Sequence, residues 1–217
     1  MPSSTEAEEN LRVIRSLMEK ATIYRAVSAP TALAGGVAAL VVSTLWMQNL
    51  FLKWLESFKW LEPSVDSFRI RWFLALIFTL AVNSLLILRE ARRRGDPLIS
   101  PGMRAAMVAL LPPMLCGAVF FLIMGPVHTP VYLAVFYGLA LLATGHFAPR
   151  SIVWLGWSFL IAGLVGYLSI VDGSFSAMCT PDRFMVLTFG GFHFVYAACT
   201  WPRKIPVVVP GATRSDV

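Results

Sequence analysis

RWFLALIFTLAVNSLLILREARRR, residues 71 to 94, is the stretch that decides the fold. From Trp72 to Leu88 it contains no Asp, Glu, Lys or Arg, and it then ends in a run with four arginines. An α-helix needs about 20 apolar residues to cross a hydrocarbon core of about 30 Å. The stretch is therefore predicted to be a membrane span at about Arg71 to Leu88, with its arginine-rich end at one lipid surface.

Five further stretches show the same pattern of a long apolar run between short charged or proline-rich segments. With the first they predict six spans, at about 29–52, 71–88, 104–124, 131–147, 151–171 and 184–201. The composition agrees, because 57% of the 217 residues are hydrophobic and 14% are charged, whereas soluble chains average about 25% charged. The predicted fold class is all-α, a polytopic membrane protein whose six-helix transmembrane domain covers residues 28–202.

Residues 1–27 predict a separate helix before the first span. Ser3 followed by Glu6 is a helix-start pattern, and apolar residues then recur every three or four positions from Leu11 to Tyr24. One interpretation is an amphipathic helix on the inner membrane surface; the other is a soluble helix packed on the protein's own loops or on a partner. Residues 203–217 are predicted to form a cytoplasmic tail.

The basic residues are distributed unevenly between the two predicted sides. With the N-terminus inside, 13 of the 18 Lys and Arg residues lie on the inner side, and the outer side carries Lys53, Lys59, Arg69, Arg71 and Arg183. The positive-inside rule then predicts a multi-pass protein of the inner (cytoplasmic) membrane with both termini in the cytoplasm. The residues predicted to present a basic face to lipid or to a partner are Arg12, Arg15, Lys20, Arg25, Arg89, Arg92, Arg93 and Arg94.

The predicted spans carry few groups that could perform chemistry. Between their flanking charges none contains Asp, Glu, Lys or Arg, which pumps and ion-coupled transporters place at mid-membrane. The polar candidates are Asn83, His146 and His193. A hydrogen bond between helices is the commoner use of a buried amide such as Asn83, and the different depths of the two histidines disfavour a shared haem.

Three cysteines, Cys116, Cys179 and Cys199, include no CxxC pair, so no disulfide framework or zinc site is indicated. No P-loop, GxSxG or HExxH pattern is present. We therefore predict no catalytic residue, no cofactor and no metal, and a protein that is not an enzyme. An enzyme site near His146 and Arg150 would need clustered acidic or metal-binding groups that the sequence does not supply locally.

Residues 14 to 33, IRSLMEKATIYRAVSAPTAL, resemble the N-terminal signature of an uncharacterised family of bacterial six-span inner-membrane proteins. The resemblance covers about a tenth of the chain. It implies a bacterial cytoplasmic membrane and no particular activity.

The favoured interpretation of function is a non-enzymatic sensory, regulatory or accessory protein. Its predicted partners are the lipid bilayer and a cytoplasmic protein that binds residues 1–27. The alternative is a small transporter or channel for an uncharged solute, with Pro112, Pro113 and the glycine-rich sixth span as a kinked gate. The net charge of +6 does not indicate nucleic-acid binding, because most basic residues flank apolar spans. The sequence leaves the oligomeric state open.

Overall fold

The computed structural model describes residues 8–10, 29–47, 65–94, 101–146, 148–175 and 179–201. Within these ranges the fold is all helical, without strands, which confirms the predicted class. The elements in chain order are α1 (Ala29–Met47), α2 (Val65–Arg94), α3 (Pro101–Ile123), α4 (Thr129–Ala143), α5 (Arg150–Val171), α6 (Pro181–Met185), a π-helix (Val186–Phe192) and α7 (His193–Thr200). We call the last three the final helical segment.

Three helices are long and apolar enough to cross a membrane, at Phe68–Arg93, Met103–Ile123 and Arg150–Val171. Apolar stretches in α1 and α4 are shorter. Many large hydrophobic side chains on these helices face outward, Trp154 with 72% of its surface exposed. Contiguous apolar surface of this kind is unfavourable in water and suits contact with lipid. Membrane association follows from these helices, whereas the full set of six spans stays a prediction.

Helices α2 and α4 do not end at the bounds of the predicted spans. Helix α2 runs from Val65 to Arg94 and so extends beyond the predicted span of about 71–88 at both ends, because the helical backbone continues where the apolar run stops. Helix α4 ends at Ala143. The Thr144 hydroxyl donates to Leu141 O at 2.7 Å, and the chain turns there instead of continuing towards residue 147.

Several predictions concern residues outside the described ranges. They are the helix of residues 1–27 apart from its residues 8–10, the end of the first span at 48–52, the tail at 203–217, and the basic side chains of Arg12, Arg15, Lys20 and Arg25.

Helices α4 and α5 form the close hairpin that their short connection predicts, and glycines let their backbones touch. A Cβ atom on Gly138 would lie 2.6 Å from Leu160 N and 2.8 Å from Gly156 O. A Cβ on Gly163 would lie 2.6 Å from Val135 Cγ2. Apolar helices in lipid depend on such contacts, because burial from water does not drive them together.

The remaining helices pack around this hairpin. Helix α3 packs on α4, and α1 packs on both α2 and the final helical segment. Small residues of α1 serve this contact, since a Cβ on Gly36 would lie 3.3 Å from Gly190 O. Helices α2 and α3 are not among the extensively packed pairs of the described residues. An opening therefore remains between them.

Replacing Gly138 with Ala should destabilise the protein by about 1–3 kcal/mol, because the added methyl overlaps the α5 backbone. Thermal unfolding of the purified protein in detergent would show this as a fall of several degrees in Tm. The matched control is Gly191→Ala, whose Cβ would meet only Val186 O at 4.0 Å. Equal Tm values for the two variants would contradict the close contact.

Candidate functional site

The opening between α2 and α3 is a cleft with a volume of about 390 Å³. Helices α2 and α3 form its side walls, and residues of α1, α4 and the final helical segment form its floor. The walls are almost entirely apolar, as in Leu76 on α2 and Phe121 on α3. No Asp, Glu, Lys or Arg is among the lining residues.

The cleft opens sideways onto the apolar surface of the protein. Its rim carries Phe73, Leu76 and Leu122, with 51%, 46% and 67% of their surfaces exposed. These side chains belong to the two helices whose length and composition fit a membrane span. A molecule could thus reach the cleft from the hydrocarbon region of a bilayer.

Helices α2 and α3 follow each other in the chain, joined through residues 95–100, and a hydrogen bond links them at the opposite end. Arg69 near the start of α2 donates from Nη2 to Met124 O, just beyond α3, at 2.8 Å. The Thr129 hydroxyl at the start of α4 approaches the same carbonyl at 3.2 Å. The cleft lies between the two helices.

A buried ion pair lies at the same end of the cleft. Arg71 Nη1 lies 3.4 Å from Asp182 Oδ1, with side-chain exposures of 5% and 24%. Trp72 donates from Nε1 to the same carboxylate oxygen at 3.1 Å and also lines the cleft. Asp182 lies in the first turn of α6, where Thr180 is the N-cap, and a carboxylate is favourable at a helix N-terminus. The pair joins α2 to the final helical segment.

The deepest polar group of the cleft is His193, which follows the π-helix directly. Its Nδ1 lies 2.7 Å from Phe189 O, and its Nε2 lies 3.1 Å from the hydroxyl of Tyr137 on α4. The backbone N–H of His193 donates to Gly190 O. In a π-helix the backbone hydrogen bonds span five residues instead of four. Here the carbonyl of Phe189 also contacts a side-chain nitrogen, Nδ1 of His193.

Aromatic rings hold the Tyr137 and His193 pair in place. The ring of Phe159 on α5, which is fully buried, lies 4.7 Å from that of Tyr137 and 5.6 Å from that of His193, both edge-on. Phe189 lies 5.3 Å from Tyr137. Edge-to-face and tilted contacts at these distances stabilise ring positions, so the polar pair is fixed against the cleft floor.

The polar residues that the sequence suggested as site candidates do not lie together in the structure. His193 lines the cleft, whereas His146 is exposed in the turn after α4. Asn83 lies on α2 outside the lining residues, and its buried Oδ1 has no hydrogen-bond partner within the described residues. The side chains of Arg89, Arg92 and Arg93 are exposed at the far end of α2, and their role as a basic face stays a prediction. Arg94 ends the helix.

Sequence reasoning missed Tyr137, Trp72 and the pairing of Arg71 with Asp182. The signal that could link Arg71 and Asp182 is their opposite sign beside predicted spans at the same membrane surface. Nothing in the sequence around Tyr137 distinguishes it from other aromatic residues of apolar helices.

Two titratable groups outside the spanning helices have shifted pKa values. The hydroxyl and the backbone N–H of Ser174 lower the pKa of Asp172 by hydrogen bonding to its charged form. Burial raises the pKa of the Cys179 thiol. Neither group approaches the cleft, and no cluster of three or more His, Cys, Asp or Glu side chains that could hold a metal ion occurs in the described part of the chain.

Comparison with known proteins gives no match, either to a family model, to a curated protein or to a solved structure. The function must therefore be argued from the cleft itself.

Replacing Asp182 with Asn should destabilise the protein by about 1–3 kcal/mol, because the Arg71 guanidinium loses its counter-charge in a mostly buried position. Thermal unfolding in detergent measures the change. Asp172→Asn is the matched control, since Asp172 is exposed and accepts a hydrogen bond from Ser174 in its own turn. If both variants unfold at the same temperature, the ion pair does not hold α2 to the final helical segment.

Proposed function

We propose that this chain is a non-enzymatic inner-membrane protein of six spans, with both termini in the cytoplasm, that takes up an uncharged apolar molecule from the bilayer. The role is sensory, regulatory or accessory. The observation that carries the proposal is the cleft between α2 and α3, which opens towards lipid and ends at the hydrogen-bonded Tyr137 and His193.

The chemistry of the cleft supports an uncharged occupant. Its lining contains no ionisable side chains except those of His193 and Tyr137, and burying a charge there without a partner would be costly. The Arg71 and Asp182 charges at its end are paired with each other. The volume of about 390 Å³ falls within the range of about 300–1,000 Å³ typical of small-molecule sites.

Occupancy of the cleft would act on the position of α2 relative to α3. These helices are tied through Arg69 and Met124 at one end, so a molecule between them favours one separation over others. Helix α2 carries this difference to its other end, where Arg89, Arg92 and Arg93 are exposed. Lipid headgroups or a cytoplasmic protein would respond there to the altered position of these positive charges. A protein partner bound to residues 1–27 belongs to the same proposal.

Photolabelling tests the proposal most directly. Purified protein in nanodiscs, exposed to a hydrocarbon chain that carries a diazirine, should be labelled saturably on α2 and α3. Ala118→Trp should lower this labelling at least fivefold, because Ala118 lines the cleft and an indole would fill it. Unsaturable labelling, or labelling unchanged by Ala118→Trp, would contradict the site.

The control is Val119→Trp, one residue further along α3. Val119 is 53% exposed and does not line the cleft, so its replacement should leave labelling unchanged.

The alternative, a small transporter or channel, is tested by flux. Release of an uncharged solute from sealed liposomes that contain the protein would favour that alternative over a sensory role.

The proposed topology predicts that Cys179 faces the outside. In intact cells a membrane-impermeant maleimide should label it, faster as the pH rises because burial raises the pKa of its thiol. Cys179→Ser should abolish the labelling, since Cys116 and Cys199 lie within apolar helices. Labelling of Cys179 only after the cells are opened would reverse the orientation.

A further inference from the structure

The hydrogen bonds of His193 fix where its proton lies. A backbone carbonyl can only accept, so the contact of 2.7 Å from Nδ1 to Phe189 O requires the proton on Nδ1. A second proton on Nε2 would make the ring a cation in an apolar cleft whose lining residues include no carboxylate. The ring is therefore neutral, and Nε2 accepts.

The same chain of bonds fixes the role of Tyr137. Because Nε2 of His193 accepts, the Tyr137 hydroxyl must donate its one proton across the 3.1 Å contact. A hydroxyl oxygen has two lone pairs in addition to its donor. At the floor of the cleft, Tyr137 thus offers a ligand an acceptor and has no further proton to donate.

The depth of this acceptor limits what the ligand can carry. At the α-helical rise of about 1.5 Å per residue the segment from Asp182 to His193 would extend about 16 Å, and the π-helix Val186–Phe192 within it shortens this; His193 therefore lies well inside a hydrocarbon core of about 30 Å. A phosphate or carboxylate would have to lose its hydration to reach that level. A single hydroxyl can reach it when it finds an acceptor.

We propose that the cleft selects an apolar alcohol, whose hydroxyl donates to the Tyr137 oxygen while its hydrocarbon part lies between α2 and α3. This rests on the proposed function, which requires only that an uncharged apolar molecule binds there. The added claim concerns the direction of the hydrogen bond: the ligand hydroxyl donates and the Tyr137 oxygen accepts.

Competition in the photolabelling assay tests the claim. Hexadecanol, its methyl ether and a methyl ketone of the same chain length share the hydrocarbon part, and only the alcohol can donate. We expect hexadecanol to compete about three- to tenfold better than the other two, the range that one neutral hydrogen bond supplies. A ketone that competes as well as or better than the alcohol would overturn the inference.

Tyr137→Phe removes this acceptor but frees Nε2 of His193 to accept, so the decisive variant is Tyr137→Phe combined with His193→Phe, in which the alcohol should compete no better than its ether. Retained labelling by the hydrocarbon probe shows that the variant is folded and that the cleft is intact. If labelling is saturable but the alcohol has no advantage in the unmodified protein, this inference fails and the proposed function stands. If labelling is not saturable, both fail.

Nitrogen NMR of ¹⁵N-histidine protein gives an independent check. The chain has three histidines, so His193→Gln assigns the signal. We expect protonated Nδ1 and bare Nε2, and a shift of the Nε2 resonance when hexadecanol is added, because the alcohol polarises the Tyr137 hydroxyl. A protonated Nε2 would overturn the assignment of Tyr137 as donor to His193.

Discussion

The contact between the backbones of α4 and α5 is the constraint on which the rest of the structure depends. Gly138 has no space for a Cβ atom against Leu160 N, and Gly163 has none against Val135. This close approach brings the ring of Phe159 to 4.7 Å from Tyr137. Since Phe159 also contacts Phe189 of the π-helix at 4.9 Å, the glycine contact indirectly positions the floor of the cleft.

In a hydrocarbon medium each polar group needs a partner within the protein, and this rule explains where polarity occurs. Hydroxyls within the helices bond to the carbonyl four residues earlier, as Thr79 does to Ala75 and Thr188 to Phe184. The charges of Arg71 and Asp182 lie at the end of the cleft and pair with each other. His193 lies further along the cleft than these charges, and Phe189 of the π-helix supplies the carbonyl that its ring requires.

Sequence patterns predicted the helical class, because long apolar runs leave few alternatives. They predicted a span at about 71–88 within the longer helix α2, since hydropathy reports the preference for lipid and not the full hydrogen-bond ladder from Val65 to Arg94. The π-helix was not predicted. Gly190 and Gly191 weaken an α-helix locally, but whether the ladder shifts there depends on the packing of Phe159, Phe189 and Phe192.

The cleft could not be predicted from the sequence either. An empty volume is defined by the residues that surround it, and these come from several helices. Gly35 and Ala39 of α1, Ala75 of α2 and Gly117 of α3 are unremarkable small residues in their own helices, and only the fold brings them to the lining of one cleft. In water such a gap would favour collapse, since contacts across it are lost. In a bilayer an apolar molecule can restore those contacts, so small lining residues that would weaken a soluble core become the means of holding a ligand.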